Sequence, residues 1–256
     1  MKSFERIPAL EIVKREIREW TSKLGKYNTL IFVGNPASGK SIFGKNMGDI
    51  CKEAGIVSKG HVIETHYNML VDFNAKDAKT KSREVFEGAI GGVLYFSDGL
   101  KTLLSILYRK DINNINYCKD IFDVLLDVIN NNKDLVVILE GDYNDFDEFS
   151  KSDSYFKNIF DTVIEFNDYT AIELVDIFKA YCDKSKINLD FEAEQKLLNI
   201  FKKYLEKAKR YHNGMIARVF FETILEQKIL KVYRDKSMSF SDKCIIKVDD
   251  LIEDIE

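Results

Sequence analysis

Cysteine and histidine, the usual markers of disulfide-stabilised and metal-binding proteins, are scarce in this sequence of 256 residues. The cysteines lie far apart and form no C-x-x-C pair; they are Cys51, Cys118, Cys182 and Cys244. This spacing argues against a disulfide framework or a zinc site and predicts reduced thiols in the core. The three histidines also lack the spacing of metal ligands.

Long apolar runs are absent too, since none approaches the roughly 20 residues that a transmembrane helix needs. The first residues, MKSFER, lack the apolar core of a signal peptide. We therefore expect a cytoplasmic protein without a membrane partner. Positive charge is not in excess, because 38 Lys and Arg stand against 42 Asp and Glu. This balance argues against a general nucleic-acid binder.

One stretch carries a strong signal. Residues Gly34 to Ser41 read G-N-P-A-S-G-K-S and fit the phosphate-binding pattern G-x-x-x-x-G-K-[ST] at every fixed position. Thr29–Val33 before it is typical of a buried strand, and Ile42–Lys52 after it has the composition of a helix. In such a loop the backbone N–H groups surround a polyphosphate, the lysine neutralises charge and the serine can ligate Mg²⁺. The predicted nucleotide-binding residues here are Asn35, Pro36, Ala37, Ser38, Gly39, Lys40, Ser41 and Ile42.

Further apolar runs alternate with amphipathic segments. The predicted strands after the first are His61–Thr65, Val93–Phe96, Leu135–Leu139 and Thr162–Phe166. Strands that alternate with helices predict an α/β domain with a five-stranded parallel sheet, covered on both faces, with ligands at the carboxyl ends of its strands.

The pattern changes after Asn167. Thr170 and Glu173 form a predicted capping box, and helical periodicity continues through Phe191–Lys207 and Asn213–Val232. The sequence therefore predicts two domains, an α/β nucleotide-binding core over residues 1–167 and a small all-helical lid over residues 168–256.

Phrases along nearly the whole chain resemble the AAA+ ATPases of the CbxX/CfxQ group, which includes stage V sporulation protein K and red-type Rubisco activase. The matching phrases are Ala9–Lys14, Phe32–Pro36, Ser58–Glu64, Lys79–Lys81, Gly91–Phe96, Leu135–Leu139 and Ile164–Thr170. The resemblance implies a P-loop AAA+ fold, ATP or ADP with Mg²⁺ as ligands, and a ring built from identical or different AAA+ subunits. It leaves the protein client unidentified.

The chain departs from the family where hydrolysis takes place. The family's third strand ends in Asp-Glu, one carboxylate for Mg²⁺ and one for the attacking water, whereas this strand ends in Ser97-Asp98. Asp98 remains a candidate for one of these roles, as a catalytic residue or, with Ser41, as a metal ligand. Glu140 replaces a small residue of the family at the end of the fourth strand and is the second catalytic candidate.

Other family positions have changed as well. Lys157 is the only cation in the stretch that supplies an arginine finger in the family, and a point charge lacks the planar fork of a guanidinium. Met215 stands where a nucleotide-sensing Arg is expected, and Arg218 matches a later Arg of the same motif. Met215 and Arg218 are candidate nucleotide contacts, with a subunit interface or a helix surface as alternatives for Arg218. Phe73 corresponds to a pore-loop aromatic of the family, or packs locally.

The leading hypothesis is an AAA+ domain that binds nucleotide but hydrolyses it weakly or not at all, as a nucleotide-gated regulatory or structural subunit of a ring. The first alternative is an active protein-remodelling ATPase that uses Asp98 or Glu140. A P-loop kinase of small molecules and a nucleotide-free scaffold remain as further alternatives.

Overall fold

The structure is a computed structural model. It describes residues 10–22, 28–71, 78–108, 115–152, 155–160, 162–207, 213–235 and 237–251. Its contacts divide into two compact units. The first contains Glu11–Gly34 and Gly39–Phe166, and the second contains Asn35–Ser38 and Asn167–Glu256.

The first unit is built on a five-stranded parallel sheet with the order β2-β3-β4-β1-β5. Its strands are β1 (Thr29–Gly34), β2 (Val62–Thr65), β3 (Val93–Phe96), β4 (Val136–Gly141) and β5 (Val163–Phe166). Every residue of β1 is buried, as expected for a central strand of a sheet covered on both faces. The structure thus confirms the predicted α/β class and the parallel sheet.

Seven helices of the described chain accompany this sheet. They are α1 (Glu11–Ser22), α2 (Lys40–Glu53), α3 (Tyr67–Leu70), α4 (Ala78–Gly88), α5 (Gly99–Tyr108), α6 (Ile115–Asn131) and α7 (Tyr143–Lys151), with a 3₁₀ turn at Tyr155–Asn158. The apolar residues of α1 recur at helical spacing and are buried, as expected for an amphipathic helix that packs on a core.

Helix α7 was not predicted, because its sequence YNDFDEFSK lacks a continuous apolar stripe and buries only Phe149. A capping box starts it instead. The Asp142 carboxylate accepts a hydrogen bond from the backbone N–H of Asp145, and the Asp145 side chain accepts one from the backbone N–H of Asp142. Capping satisfies two backbone donors that a helix start leaves unpaired.

The second unit is mainly helical. Its elements are α8 (Ala171–Lys184), β6 (Asn188–Leu189), α9 (Phe191–Lys207), α10 (Gly214–Arg234), α11 (Phe240–Lys243), β7 (Ile245–Ile246) and a 3₁₀ turn at Val248–Asp250. The predicted capping box of Thr170 and Glu173 is present at the start of α8. Strands β6 and β7 form a short parallel pair that was not predicted.

None of the helices in the described ranges combines the length and the hydropathy that a membrane span requires.

A buried ion pair joins the 3₁₀ turn at Val248–Asp250 to α10. Lys228 Nζ lies 2.6 Å from an oxygen of Asp250, and both side chains are only 4% exposed. Lys231 donates to the other Asp250 oxygen at 2.9 Å, and the backbone N–H of Lys247 also donates to this carboxylate. The Asp250 carboxylate therefore holds α10 and the last 3₁₀ turn together.

We expect Asp250→Ala to destabilise the protein by about 3 to 5 kcal/mol at pH 7, because Lys228 would stay buried without its counter-charge. Burial tends to raise the pKa of Asp250, but hydrogen bonds from Lys228 and Lys231 outweigh it and hold that pKa below its usual value. A depressed pKa adds stability that is complete above the unfolded pKa of about 3.9 and is lost as the pH falls. The gap between wild type and variant should therefore narrow below about pH 4.

Urea unfolding of both proteins between pH 7 and pH 3 measures this gap. Asp249→Ala is the matched control, because Asp249 is the exposed neighbour in the same turn. Equal losses in the two variants would contradict the assigned role of Asp250.

Candidate functional site

The backbone of the Gly34–Ser41 stretch forms a turn at the start of α2. Gly39 caps the helix with φ 98°, a left-handed conformation that glycine adopts without steric cost. Ala37 is also left-handed, with φ 59°, which costs a residue with a Cβ of order 1 kcal/mol. A turn of this kind before a helix N-terminus presents backbone N–H groups to an anion. The loop therefore has the backbone of a phosphate site.

In the first unit, the lysine of the loop lies against a carboxylate from β4. Lys40 Nζ donates to the Gly34 carbonyl at 2.7 Å and lies 3.6 Å from an oxygen of Glu140. The Lys40 side chain is 6% exposed and that of Glu140 is 16% exposed, so the pair is largely shielded from water. Glu140, the second catalytic candidate, therefore lies beside the lysine of the phosphate loop, and its catalytic role stays a prediction.

Tyr95 on β3 completes a cluster of four side chains. Its phenol donates to the other oxygen of Glu140 and is also hydrogen-bonded to the Ser41 hydroxyl. Burial and the nearby Glu140 charge raise the pKa of Tyr95, so the phenol keeps its proton. Burial also raises the pKa of Glu140, although the hydrogen bond from Tyr95 and the charge of Lys40 oppose this. Sequence reasoning did not select Tyr95, whose phenol meets Glu140 only because β3 and β4 are neighbours in the sheet.

Asp98, the other catalytic candidate, makes a different contact. Its carboxylate accepts a hydrogen bond of 2.9 Å from the backbone N–H of Tyr67 at the first residue of α3. Its own carbonyl accepts from the backbone and the hydroxyl of Thr102 in α5. Burial raises the pKa of Asp98, opposed by the Tyr67 hydrogen bond. Asp98 thus joins the starts of two helices, and its catalytic and metal-binding roles stay predictions.

Ser97 follows the same strand and bonds to the end of β2. Its backbone N–H donates to the Thr65 carbonyl at 2.9 Å, and its hydroxyl lies 3.3 Å from the same oxygen. Neither contact supplies the negative charge of the family's first carboxylate at this position.

In the second unit, the residues at the middle of the loop are held by two polar side chains. Asn35 donates to the Asp168 carboxylate at 2.9 Å. Asn213 donates to the same carboxylate at 2.8 Å and to the Pro36 carbonyl at 3.0 Å. The backbone N–H of Gly214 donates to the Ala37 carbonyl at 3.1 Å. These bonds hold the Asn35 side chain and the carbonyls of Pro36 and Ala37 in place.

Asn213 was not among the predicted site residues. It is 4% exposed and has φ 45°, a conformation that asparagine tolerates better than most residues. The sequence signal was its place in the H-N-G-M stretch, which matches the family's G-N-A-R motif.

The remaining predicted residues occupy varied surroundings. Ser38 is fully buried, and its hydroxyl has no hydrogen-bond partner within the described part of the chain. Ile42 on α2 and Met215 on α10 are exposed. Arg218 is exposed and forms an ion pair of 2.8 Å with Glu222, one helical turn away. This pair corresponds to the helix-surface alternative for Arg218.

Lys157 lies in the 3₁₀ turn at Tyr155–Asn158 and donates to the carbonyl of Ser150. Phe73, which corresponds to the pore-loop aromatic of the family, lies outside the described residues.

Within the described ranges, no group of three or more His, Cys, Asp or Glu side chains is arranged to hold a metal ion. Mg²⁺ does not need such a group, because beside a nucleotide it is bound through one or two protein oxygens, substrate phosphates and water. Ser41 and Asp98 stay the predicted oxygen ligands of Mg²⁺.

Known proteins similar to this chain include members of the AAA+ family. The family model described as the AAA lid domain matches residues 170–256. The chain is 33% identical over 177 residues to the CfxQ homolog of Trieres chinensis, which covers 69% of this chain and 59% of that protein. It is 34% identical over 167 residues to CbbX of Cereibacter sphaeroides, which covers 65% of this chain and 52% of that protein. These alignments thus span little more than half the length of either relative.

A solved structure has the same fold. The structure titled FIGL-1 AAA domain in complex with ADP superposes with a TM-score of 0.64, covering 95% of this chain and 80% of that chain. The two sequences are 14% identical, so the likeness concerns the fold alone.

We expect Asp98→Ala to lower the free energy of unfolding by about 1 kcal/mol, as loss of a helix cap does, because the Tyr67 N–H would lose its acceptor. Asp98→Asn keeps an acceptor oxygen and removes a charge that burial disfavours, so its effect should be smaller. Urea unfolding at pH 7 compares them, and equal losses would count against the capping role.

Proposed function

The chain belongs to the CbxX/CfxQ family of AAA+ ATPases, and on that premise we propose that it binds ATP or ADP and hydrolyses it weakly or not at all. The observation that supports this proposal is the coexistence of a complete phosphate loop with a third strand that ends in Ser97-Asp98. Nucleotide binding depends on the first feature and turnover on the second.

Nucleotide binding is supported by how well the loop fits a polyphosphate. Helix α2 starts at Lys40, directly after the left-handed Gly39, so the positive end of the helix dipole lies at the loop. In this loop motif Lys40 would neutralise the charge of the phosphates and Ser41 would ligate Mg²⁺. The structurally similar FIGL-1 domain was solved with ADP, which agrees with adenine nucleotide as the ligand.

Weak or absent hydrolysis is supported by the altered carboxylates. Phosphoryl transfer requires a positioned water and neutralisation of charge in the transition state. Ser97 carries no charge, and the carboxylate of Asp98 is used as the hydrogen-bond acceptor for Tyr67. Lys157 replaces the arginine finger with a point charge that donates to a backbone carbonyl in the same subunit.

The protein would then act as a nucleotide-gated regulatory or structural subunit of a cytoplasmic AAA+ ring. In a mixed ring, an active paralogue would complete the pocket with its own arginine. Because the alignments span little more than half of the CfxQ homolog and CbbX, client and partners do not carry over from them. The proposal therefore names a protein client only as a class.

One observation favours a second candidate, an active remodelling ATPase. Glu140 brings a largely buried carboxylate to 3.6 Å from the phosphate-binding lysine. A carboxylate in this place could restore part of the charge that Ser97 lacks, and slow turnover would follow.

A thermal-shift titration with ATP and Mg²⁺, or with ADP, followed by measurement of phosphate release on the same samples, distinguishes the weakly hydrolysing subunit from the active ATPase. We expect nucleotide at about 100 times its Kd to stabilise the protein by about 2.7 kcal/mol, because it binds only the native state. Lys40→Ala should abolish the shift, since the variant loses the phosphate charge partner. Phosphate release by the wild-type protein should not exceed that of Lys40→Ala.

Lys45→Ala is the matched control, because Lys45 is exposed on the same helix and pairs with Glu64. It should keep the wild-type shift. No shift with any adenine nucleotide would refute binding, and sustained release that depends on Lys40 would favour the active ATPase.

A further inference from the structure

We propose that Glu140, presented by β4, replaces the lost carboxylate of β3 in the Mg²⁺ site beside Ser41, and that Tyr95 positions it. This inference rests on the proposed nucleotide binding. It assigns the metal-side carboxylate to a different strand from the one that the family motif implies.

The register of the sheet places Glu140 beside the altered position. Strands β3 and β4 are parallel and pair Phe96 with Leu139, so the next residues along the strands, Ser97 and Glu140, are neighbours. Paired residues of parallel strands point to the same face of a sheet, and side chains two apart along a strand share that face. Tyr95, Ser97 and Glu140 therefore belong to one face. The hydrogen bond from Tyr95 to Glu140 agrees with this arrangement.

The same face carries the phosphate-loop helix. A Cβ atom added to Gly44 of α2 would lie 2.5 Å from the Tyr95 ring. The ring, which is fully buried, occupies the space that a side chain at position 44 would need. The absence of a side chain at this position lets the phenol lie under the first turns of α2, where it reaches Ser41.

Tyr95 thereby connects the two oxygen groups of the proposed site. Its phenol is hydrogen-bonded to both the Ser41 hydroxyl and the Glu140 carboxylate. Both are hard oxygen ligands, which Mg²⁺ prefers, and a nucleotide-bound Mg²⁺ takes only one or two ligands from the protein. Because the phenol donates a hydrogen bond to the carboxylate, it orients Glu140.

Charge balance points to the same site. A largely buried carboxylate needs a cation, and without ligand the ammonium of Lys40, 3.6 Å away, serves that purpose. When Lys40 interacts with phosphate, a divalent cation at Ser41 would neutralise Glu140 in its place. Asp98 does not have this relation to the loop lysine, since its described contacts are with α3 and α5.

Affinity for a fluorescent ADP analogue, measured in Mg²⁺ and in EDTA, tests the proposal without relying on turnover. Binding of Mn²⁺ to the ADP complex, followed by electron paramagnetic resonance, is the second readout. We expect Glu140→Gln to weaken Mn²⁺ binding by about tenfold or more and to remove most of the gain in affinity from Mg²⁺, while affinity in EDTA is kept or improved.

Tyr95→Phe should weaken Mn²⁺ binding less than Glu140→Gln, because it removes only the group that orients the carboxylate. Asp98→Asn tests the competing carboxylate, and on this assignment it affects the dependence on Mg²⁺ less than Glu140→Gln does. Lys45→Ala is the control, because Lys45 is exposed on α2 and pairs with Glu64. Thermal unfolding without nucleotide identifies any variant whose fold is impaired.

Three results would overturn the assignment. Asp98→Asn could lose the dependence of nucleotide affinity on Mg²⁺ while Glu140→Gln keeps it, which would assign the metal-binding carboxylate to Asp98 after β3. Glu140→Gln could raise affinity equally in Mg²⁺ and in EDTA, which would make Glu140 only a competitor of phosphate for Lys40. Wild-type protein that binds no nucleotide in either buffer would refute the proposed function, and this inference with it.

Discussion

The pairing of β1 with β4 is the constraint on which the candidate site depends. Strand β1 leads into the phosphate loop, and its register with β4 places Phe32 opposite Glu140. Because both strands lie in the middle of the sheet and are almost fully buried, this register is strongly determined by packing. It delivers the Glu140 carboxylate to the lysine at the start of α2. A phosphate loop alone would not provide this partner.

Asp98 and Glu140, the two catalytic candidates, lie in different surroundings. Asp98 accepts a backbone hydrogen bond and stabilises the start of α3, whereas Glu140 lies with Lys40, Tyr95 and Ser41. The distinction is physical: one carboxylate interacts with a helix N-terminus and the other with side chains that a nucleotide would contact. The carboxylate beside the loop lysine is therefore presented by β4 and not by β3.

The middle of the loop has its own support within the second unit. Asp168 accepts hydrogen bonds from Asn35 and Asn213, and Asn213 also donates to the Pro36 carbonyl. Backbone N–H and C=O groups of a left-handed turn need side-chain partners of this kind, because a loop has no helix or sheet that would pair them. Of the eight residues from Gly34 to Ser41, those in the middle are thus held by hydrogen bonds within the second unit, and all but Gly34 are predicted to contact the nucleotide.

The sequence by itself determined the features that depend on local pattern. The phosphate loop, the strands of the sheet, the capping box at Thr170 and helix α9 at Phe191–Lys207 were predictable from motif spacing and hydrophobic period. Helix α7 was not predicted because it begins with a capping box and has no continuous apolar stripe. The β6–β7 pair was not predicted because two-residue strands are defined only by their mutual hydrogen bonds. The sequence offered Asp98 as a catalytic or metal-binding candidate and Glu140 as a second catalytic candidate. Only the tertiary structure separates them, because strand order and register decide which carboxylate meets Lys40, and neither is encoded in the spacing of residues along the chain.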